Sequence, residues 1–107
     1  SLHIPHNKQT EKIINHEVIF KKLKKRPIII NTSRGKLIEK KSIISGLEKN
    51  KISAYLTDVL DIEPISENEN LIGLDKVIIT PHVGSRTFQS VEKQATMAIN
   101  NLLKYLK

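Results

Sequence analysis

Ile28-Ile29-Ile30-Asn31-Thr32-Ser33-Arg34-Gly35 is the stretch that decides the fold. Three β-branched residues in a row after Pro27 favour extended chain, and such an unbroken apolar run predicts a parallel strand buried on both faces. Polar residues and a glycine end it at once. The same alternation continues outward. Downstream, Glu39 to Lys49 sets Ile43, Ile44 and Leu47 at helical spacing, with Asn50 as a C-terminal cap. Ile52 to Thr57 and Val77 to Thr80 predict two further strands, separated by a long polar loop, Leu60 to Asp75, that contains Pro64. From Thr87, the residues Phe88, Val91, Ala95, Ala98, Leu102 and Tyr105 recur at steps of three and four, which predicts one long amphipathic helix. Upstream, Leu2 to Ile4 reads as the tail of a strand closed by Pro5. Thr10 can cap the short turn Glu11 to Ile14, and Asn15 a helix that turns Val18, Ile19 and Leu23 inward. The alternation predicts an α/β fold: a parallel sheet with flanking helices and a long C-terminal helix.

Composition narrows the class. A chain of 107 residues, 38% hydrophobic, is enough for one domain and too short for two. It has no cysteine, which excludes a thiolate nucleophile, a zinc ribbon and a disulfide scaffold and fits a reducing compartment. Its apolar runs fall far below the roughly 18 residues of a membrane span, and its first residues lack a signal-peptide layout. The expectation is a cytoplasmic globular protein with no membrane partner. Eighteen Lys+Arg against eleven Asp+Glu give a net charge of +7, concentrated in Lys21-Lys22-Leu23-Lys24-Lys25-Arg26. Such a run can bind phosphates without sequence preference. Here the cations are mostly Lys and only 4% of residues are aromatic, whereas base stacking and bidentate contacts need the opposite. A solvated helix end explains the run, and no nucleic-acid partner is expected.

In parallel sheets, ligands gather beyond the carboxyl ends of the strands. After the first strand comes Arg34, after the second Asp58 and Glu63, and after the third His82. Arg34 is a permanent cation whose planar fork suits a carboxylate. His82, with an unperturbed pKa of about 6.5, can give and take a proton near neutrality. Glu63 hydrogen-bonded to it would fix the imidazole tautomer and favour its charged form. Together these groups suit interconversion of a 2-hydroxy acid and a 2-keto acid, with the hydride supplied by a cofactor. Each residue also has a plainer reading. Arg34-Gly35 can be a surface turn, His82 a helix cap, and Asp61, Glu67 and Glu69 solvated acids. His3 and His6 lack the spacing of a helical zinc pair and read as structural.

Four motifs in order resemble the carboxyl-terminal part of the D-isomer-specific 2-hydroxyacid dehydrogenases. They are Ser1-x-His3-x-Pro5 with Thr10, Asn31-Thr32-Ser33-Arg34-Gly35, Asp58-Val59 with Glu63-Pro64, and Thr80-Pro81-His82-x-Gly84-Ser85. The resemblance implies a partial Rossmann-like, doubly wound sheet spanning residues 1–107. It implies that Arg34 binds the substrate carboxylate, His82 is the acid/base and Glu63 its partner. It further implies that Asp58 and the Thr32 carbonyl hold the nicotinamide carboxamide. His3, Ile4, Pro5 and Thr10 would line the adenosine side, and Gly84 would pass close to the nicotinamide. Arg34 and His82 would thus also touch the cofactor, which the resemblance gives as NAD, with NADP left open. A small 2-hydroxy or 2-keto acid is the implied substrate, and a homodimer the implied full-length state. Phosphoglycerate dehydrogenase is the expected branch only because it is the commonest housekeeping member.

The phosphate-binding G-x-G-x-x-G and the acid that follows it are absent, as is a substrate domain. The chain therefore reads as a fragment that is inactive alone. An alternative keeps the same polar groups on a non-catalytic scaffold, as in corepressors of the C-terminal-binding-protein type, which work through protein contacts.

Overall fold

A computed structural model describes residues 1–106. Its strands are β1 (Ile28–Asn31), β2 (Ala54–Thr57) and β3 (Val77–Ile79), in the order β1-β2-β3. Both pairs are parallel, with Asn31 opposite Thr57 and Thr57 opposite Ile79, so the three carboxyl ends share one rim. Parallel neighbours need a crossover, and α1 (Lys40–Glu48) provides the one between β1 and β2. The loop from 58 to 76 joins β2 to β3, and α2 (Phe88–Tyr105) follows β3. This is the parallel α/β architecture that the alternation predicts, and it agrees with the partial Rossmann-like sheet that the resemblance implies. Among the described residues no helix is long and apolar enough to cross a membrane.

Local chemistry explains where the elements stop. Asn50 adopts φ +53°, the left-handed conformation that closes a helix, just beyond α1. The Thr87 hydroxyl accepts the Ser90 N–H at 3.2 Å and caps α2. The first predicted helix shrinks to a single π-helical turn, Val18–Lys22. Asn15 still accepts the Val18 N–H at 3.2 Å, and Ile19 is fully buried. The strand tail Leu2 to Ile4 reduces to one parallel bridge between Leu2 and Asn31. Thr10 ties the turn before it instead of the one after: its hydroxyl donates to the Pro5 carbonyl at 2.7 Å and accepts the Asn7 N–H at 2.8 Å.

The core lies on one side of the sheet, where Ile29 and Tyr55 pack with Ile19, Ile38, Ile43, Leu47, Ile52 and Leu71. That overturns the expectation of a strand buried on both faces. Ile29 is 8% exposed, whereas Ile28 is 56% and Ile30 37% exposed. Side chains alternate across a strand, and the described elements cover one face only. The periodicity of α2 holds as predicted, yet none of its residues is buried, and Phe88 is 95% exposed.

One backbone approach sets the rim. A Cβ on Gly35 would land on the Leu60 carbonyl and the Asp61 nitrogen. Gly35 is thus the place where the loop after β2 lies directly on the turn after β1. Backbone cannot swing aside as a side chain can. Gly73 differs, having φ +80° and open space around it. We expect Gly35→Ala to cost about 3 kcal/mol or more, the upper end of overpacking penalties. Gly73→Ala should cost only about 1 kcal/mol, the price of a left-handed backbone. Urea unfolding of the two variants checks the contrast, and equal midpoints would refute the close approach.

Candidate active site

Asp58 organises the rim. Its carboxylate is nearly buried at the end of β2 and meets three donors from the segment after β3. Oδ1 accepts the Thr80 hydroxyl at 2.5 Å and the Val83 N–H at 3.0 Å, and Oδ2 accepts the Gly84 N–H at 2.8 Å. Burial pushes its pKa up, but these hydrogen bonds and the nearby His82 outweigh that and hold it below the usual carboxylate value. A Cβ on Gly84 would sit 2.9 Å from Oδ2, so glycine lets the backbone come this close. The staple bends the chain enough that His82 takes φ +53°, uncommon for a residue with a side chain.

That bend brings His82 Nδ1 to 2.7 Å from Glu63 Oε2. An ionised carboxylate only accepts, so Nδ1 carries the shared proton and Nε2 is the nitrogen left for other work. Glu63 Oε1 accepts the Leu60 N–H at 2.8 Å. The imidazole hydrogen bond, then the Leu60 amide, lower the Glu63 pKa below its ordinary 4.5, against opposing burial and the Asp58 charge. Both partners are partly exposed.

Arg34 stands apart from this pair. It is exposed, and its Nη1 donates to the Ser33 carbonyl at 2.6 Å. It lines a recess of about 620 Å³ together with His3, Ile4, Pro5 and Thr32. Asp58, Glu63 and His82 instead border a more apolar cavity of about 790 Å³, and Leu60 forms a wall of both. The structure therefore joins Glu63, His82, Asp58 and Gly84, and places Arg34 next door with His3, Ile4, Pro5 and Thr32. Thr10 lines neither space.

Sequence reasoning missed two features. Glu69 is no solvated acid: its side chain is 4% exposed and lies 2.7 Å from Lys40 Nζ. His6 also lines the Arg34 recess, and its Nε2 is buried without a partner. Neither has a local sequence signal, because both depend on segments that meet only in three dimensions.

The recess suits part of a dinucleotide. Its volume lies within the range of small-molecule sites. Its lining mixes apolar Ile4 and Pro5 with the hydroxyls of Thr32 and Ser33 and the guanidinium of Arg34, and an unpartnered imidazole nitrogen lies in its wall.

Comparison with known proteins fits this geometry. The family described as D-isomer specific 2-hydroxyacid dehydrogenase, NAD binding domain, matches residues 1–84. The chain belongs to that family. It is 34% identical over 107 residues to a glyoxylate reductase of Thermofilum pendens, covering all of this chain and 31% of the relative. It is 38% identical over 107 residues to a hydroxypyruvate reductase of Blautia hydrogenotrophica, covering 33% of that protein. Among solved structures, a glyoxylate reductase from Paecilomyes thermophila superposes with a TM-score of 0.79 at 29% identity, over 99% of this chain and 32% of that one. An acyclic imino acid reductase in complex with NADPH and D-Arg gives 0.77 at 33% identity, over 98% of this chain and 33% of that one. The chain thus spans about a third of the length of the curated relatives it matches.

A lowered Glu63 pKa carries a definite sign. The ion pair contributes stability above the ordinary glutamate pKa and loses it as pH falls through the depressed one. In a carbon-13 titration, Glu63 should therefore reach its midpoint below 4.5. His82→Gly, which accepts the positive φ and removes the imidazole, should move that midpoint up. An unmoved midpoint would show that the imidazole does not hold the carboxylate.

Proposed function

We propose that the 107 residues are the carboxyl-terminal part of a NAD(P)-binding, Rossmann-like domain, and that the whole protein reduces a small 2-keto acid to a D-2-hydroxy acid, or the reverse. The observation that carries this reading is the 2.7 Å contact between His82 Nδ1 and Glu63 Oε2, which leaves Nε2 as the nitrogen available to act as an acid. Bound NAD or NADP supplies the hydride. His3, Ile4 and Pro5 would hold its adenosine side, with Thr10 behind them keeping the Pro5 turn in shape. The Thr32 carbonyl, the remaining acceptor capacity of Asp58 and the bare backbone at Gly84 would hold the nicotinamide end.

In reduction, Arg34 gives up its bond to the Ser33 carbonyl and takes the substrate carboxylate through two parallel hydrogen bonds. His82 Nε2 then passes its proton to the oxygen that gains negative charge. Glu63 stabilises the imidazolium before that transfer and keeps the ring aligned after it. In oxidation the same nitrogen removes the hydroxyl proton.

The names of the curated relatives favour glyoxylate or hydroxypyruvate as substrate. Support for a phosphoglycerate branch comes from one solved phosphoglycerate dehydrogenase, of Lactobacillus plantarum, with a TM-score of 0.75 at 26% identity. A cytoplasmic setting and pairing of two copies belong to the same reading. The chain's lack of cysteine and its exposed apolar surface are consistent with them.

The test is a chimaera in which this chain replaces the matching third of the Blautia hydrogenotrophica hydroxypyruvate reductase. It should oxidise NADH or NADPH with hydroxypyruvate or glyoxylate, whereas the isolated chain should show negligible turnover. In the chimaera, His82→Gln should lower kcat by about 10²- to 10⁴-fold, the usual contribution of a positioned acid, with little change in cofactor KM. A folded chimaera that binds cofactor without turnover would favour the non-catalytic interaction module instead.

A further inference from the structure

Lys40 occupies a place that helix energetics disfavours. It is the first residue of α1, where the helix dipole presents its positive end, and the first turn holds no acid. Its ammonium does not point to solvent. Nζ lies 2.9 Å from Asp61 Oδ1 and 2.7 Å from Glu69 Oε2, two carboxylates of the loop after β2. These acids bracket Glu63 in sequence. Glu69 is anchored at its other oxygen as well, where Oε1 accepts the Leu71 N–H at 3.2 Å. A carboxylate buried this far needs a cation or several donors, and Lys40 supplies the cation. Burial alone would lower the Lys40 pKa, but its bonds to Glu69 and Asp61 outweigh that and raise it.

The loop segment between the two acids turns back on itself. Asp61 lies against Gly35, Glu63 accepts the Leu60 N–H, and Glu69 N–H donates to the Ser66 carbonyl at 3.0 Å. Its two flanks are tied to the body of the domain through one ammonium. Without that cation, Asp61 and Glu69 are left as unpaired carboxylates on one loop, and the hold on the loop from α1 is reduced to the apolar packing of Leu71 against Ile43 and Leu47.

We propose that Lys40 is a positioning residue, which holds Asp61 and Glu69 at once and thereby fixes the loop that presents Glu63 to His82. Lys40 touches neither partner of the pair. Its catalytic meaning rests on the reading of His82 as the acid/base, but its geometric role does not.

The experiment is a double-mutant cycle on the full 107-residue chain, read by the carbon-13 titration midpoint of Glu63. The charged groups that act on Glu63 are His82 and Asp58 on the rim; Asp61 and Glu69 lie on its own loop and pair with Lys40 of α1. In the parent, His82→Gly moves the midpoint up. In the Lys40→Met background that displacement should fall by about half or more, because coupling between groups in one network is lost when the network is opened. Lys41→Met removes an equal charge from the exposed neighbouring residue and should leave the displacement intact. Lys40→Arg, which can still reach two carboxylates, should restore it. An undiminished displacement in Lys40→Met, or an equal loss in Lys41→Met, overturns the proposal. If Lys40→Met does not fold, the same cycle is run with Asp61→Asn, which opens one arm at a more exposed side chain. There too an undiminished displacement overturns the proposal. The cycle reads a hydrogen bond and not turnover, so an inactive chimaera would refute the enzymatic reading and leave this one standing.

Discussion

The rim depends on a close approach of two backbones, the turn at Gly35 and the chain at Leu60–Asp61. A parallel sheet sends its strand ends to one edge, but it does not by itself bring the following loops together. Glycine allows that meeting, since any side chain at position 35 would occupy the space the second loop needs. From this contact the loop after β2 runs on to Glu63, and from the neighbouring β3 the chain bends back at His82. The acid and the imidazole meet because both segments are pinned at their origins.

Three carboxylates near the rim are stabilised in three ways, and the differences fit their positions. Asp58 is nearly buried and satisfied by neutral donors, one hydroxyl and two amides. Such an arrangement fixes loop shape without adding a second charge that would need its own partner. Glu69 is equally buried but takes a full ammonium. Breaking that pair would leave an uncompensated charge in the interior, the costly case among ion pairs. Glu63 is partly exposed and accepts a hydrogen bond from the His82 imidazole. Of the three, it is the one whose partner is also reached by water.

Much of the fold was legible because it is local. The isoleucine run at 28–30, the helical spacing of Ile43 and Leu47, and Asn50 as a left-handed cap all act within a few residues. Burial was not legible in the same way. Ile28 and Ile30 are as apolar as Ile29, and nothing in their sequence says that the described elements cover only one face. In the candidate site, the nearness of Glu63 and His82 could be anticipated because each follows a strand that ends on the same rim. Gly35 looked like an ordinary turn glycine, and Lys40 like one more lysine in a lysine-rich chain. Their contacts span about 20 to 30 positions, Lys40 to Glu69 being 29 apart. No periodicity reaches that far.

The exposure of the pair bears on how strongly it can act. At a solvated surface, a charge pair at hydrogen-bond distance is weakened by water and salt, and the same pair under cover is several-fold stronger. Here the geometry is set entirely inside the chain, by Gly35, Asp58 and the salt bridges of Lys40, while water still reaches both partners. Geometry and dielectric are thus separable. The first comes from backbone contacts that exist whether or not anything is bound. The second changes with whatever comes to lie over the rim. A ligand that excludes water there would strengthen the Glu63–His82 hydrogen bond as it binds, and so hold the ring more firmly in one orientation.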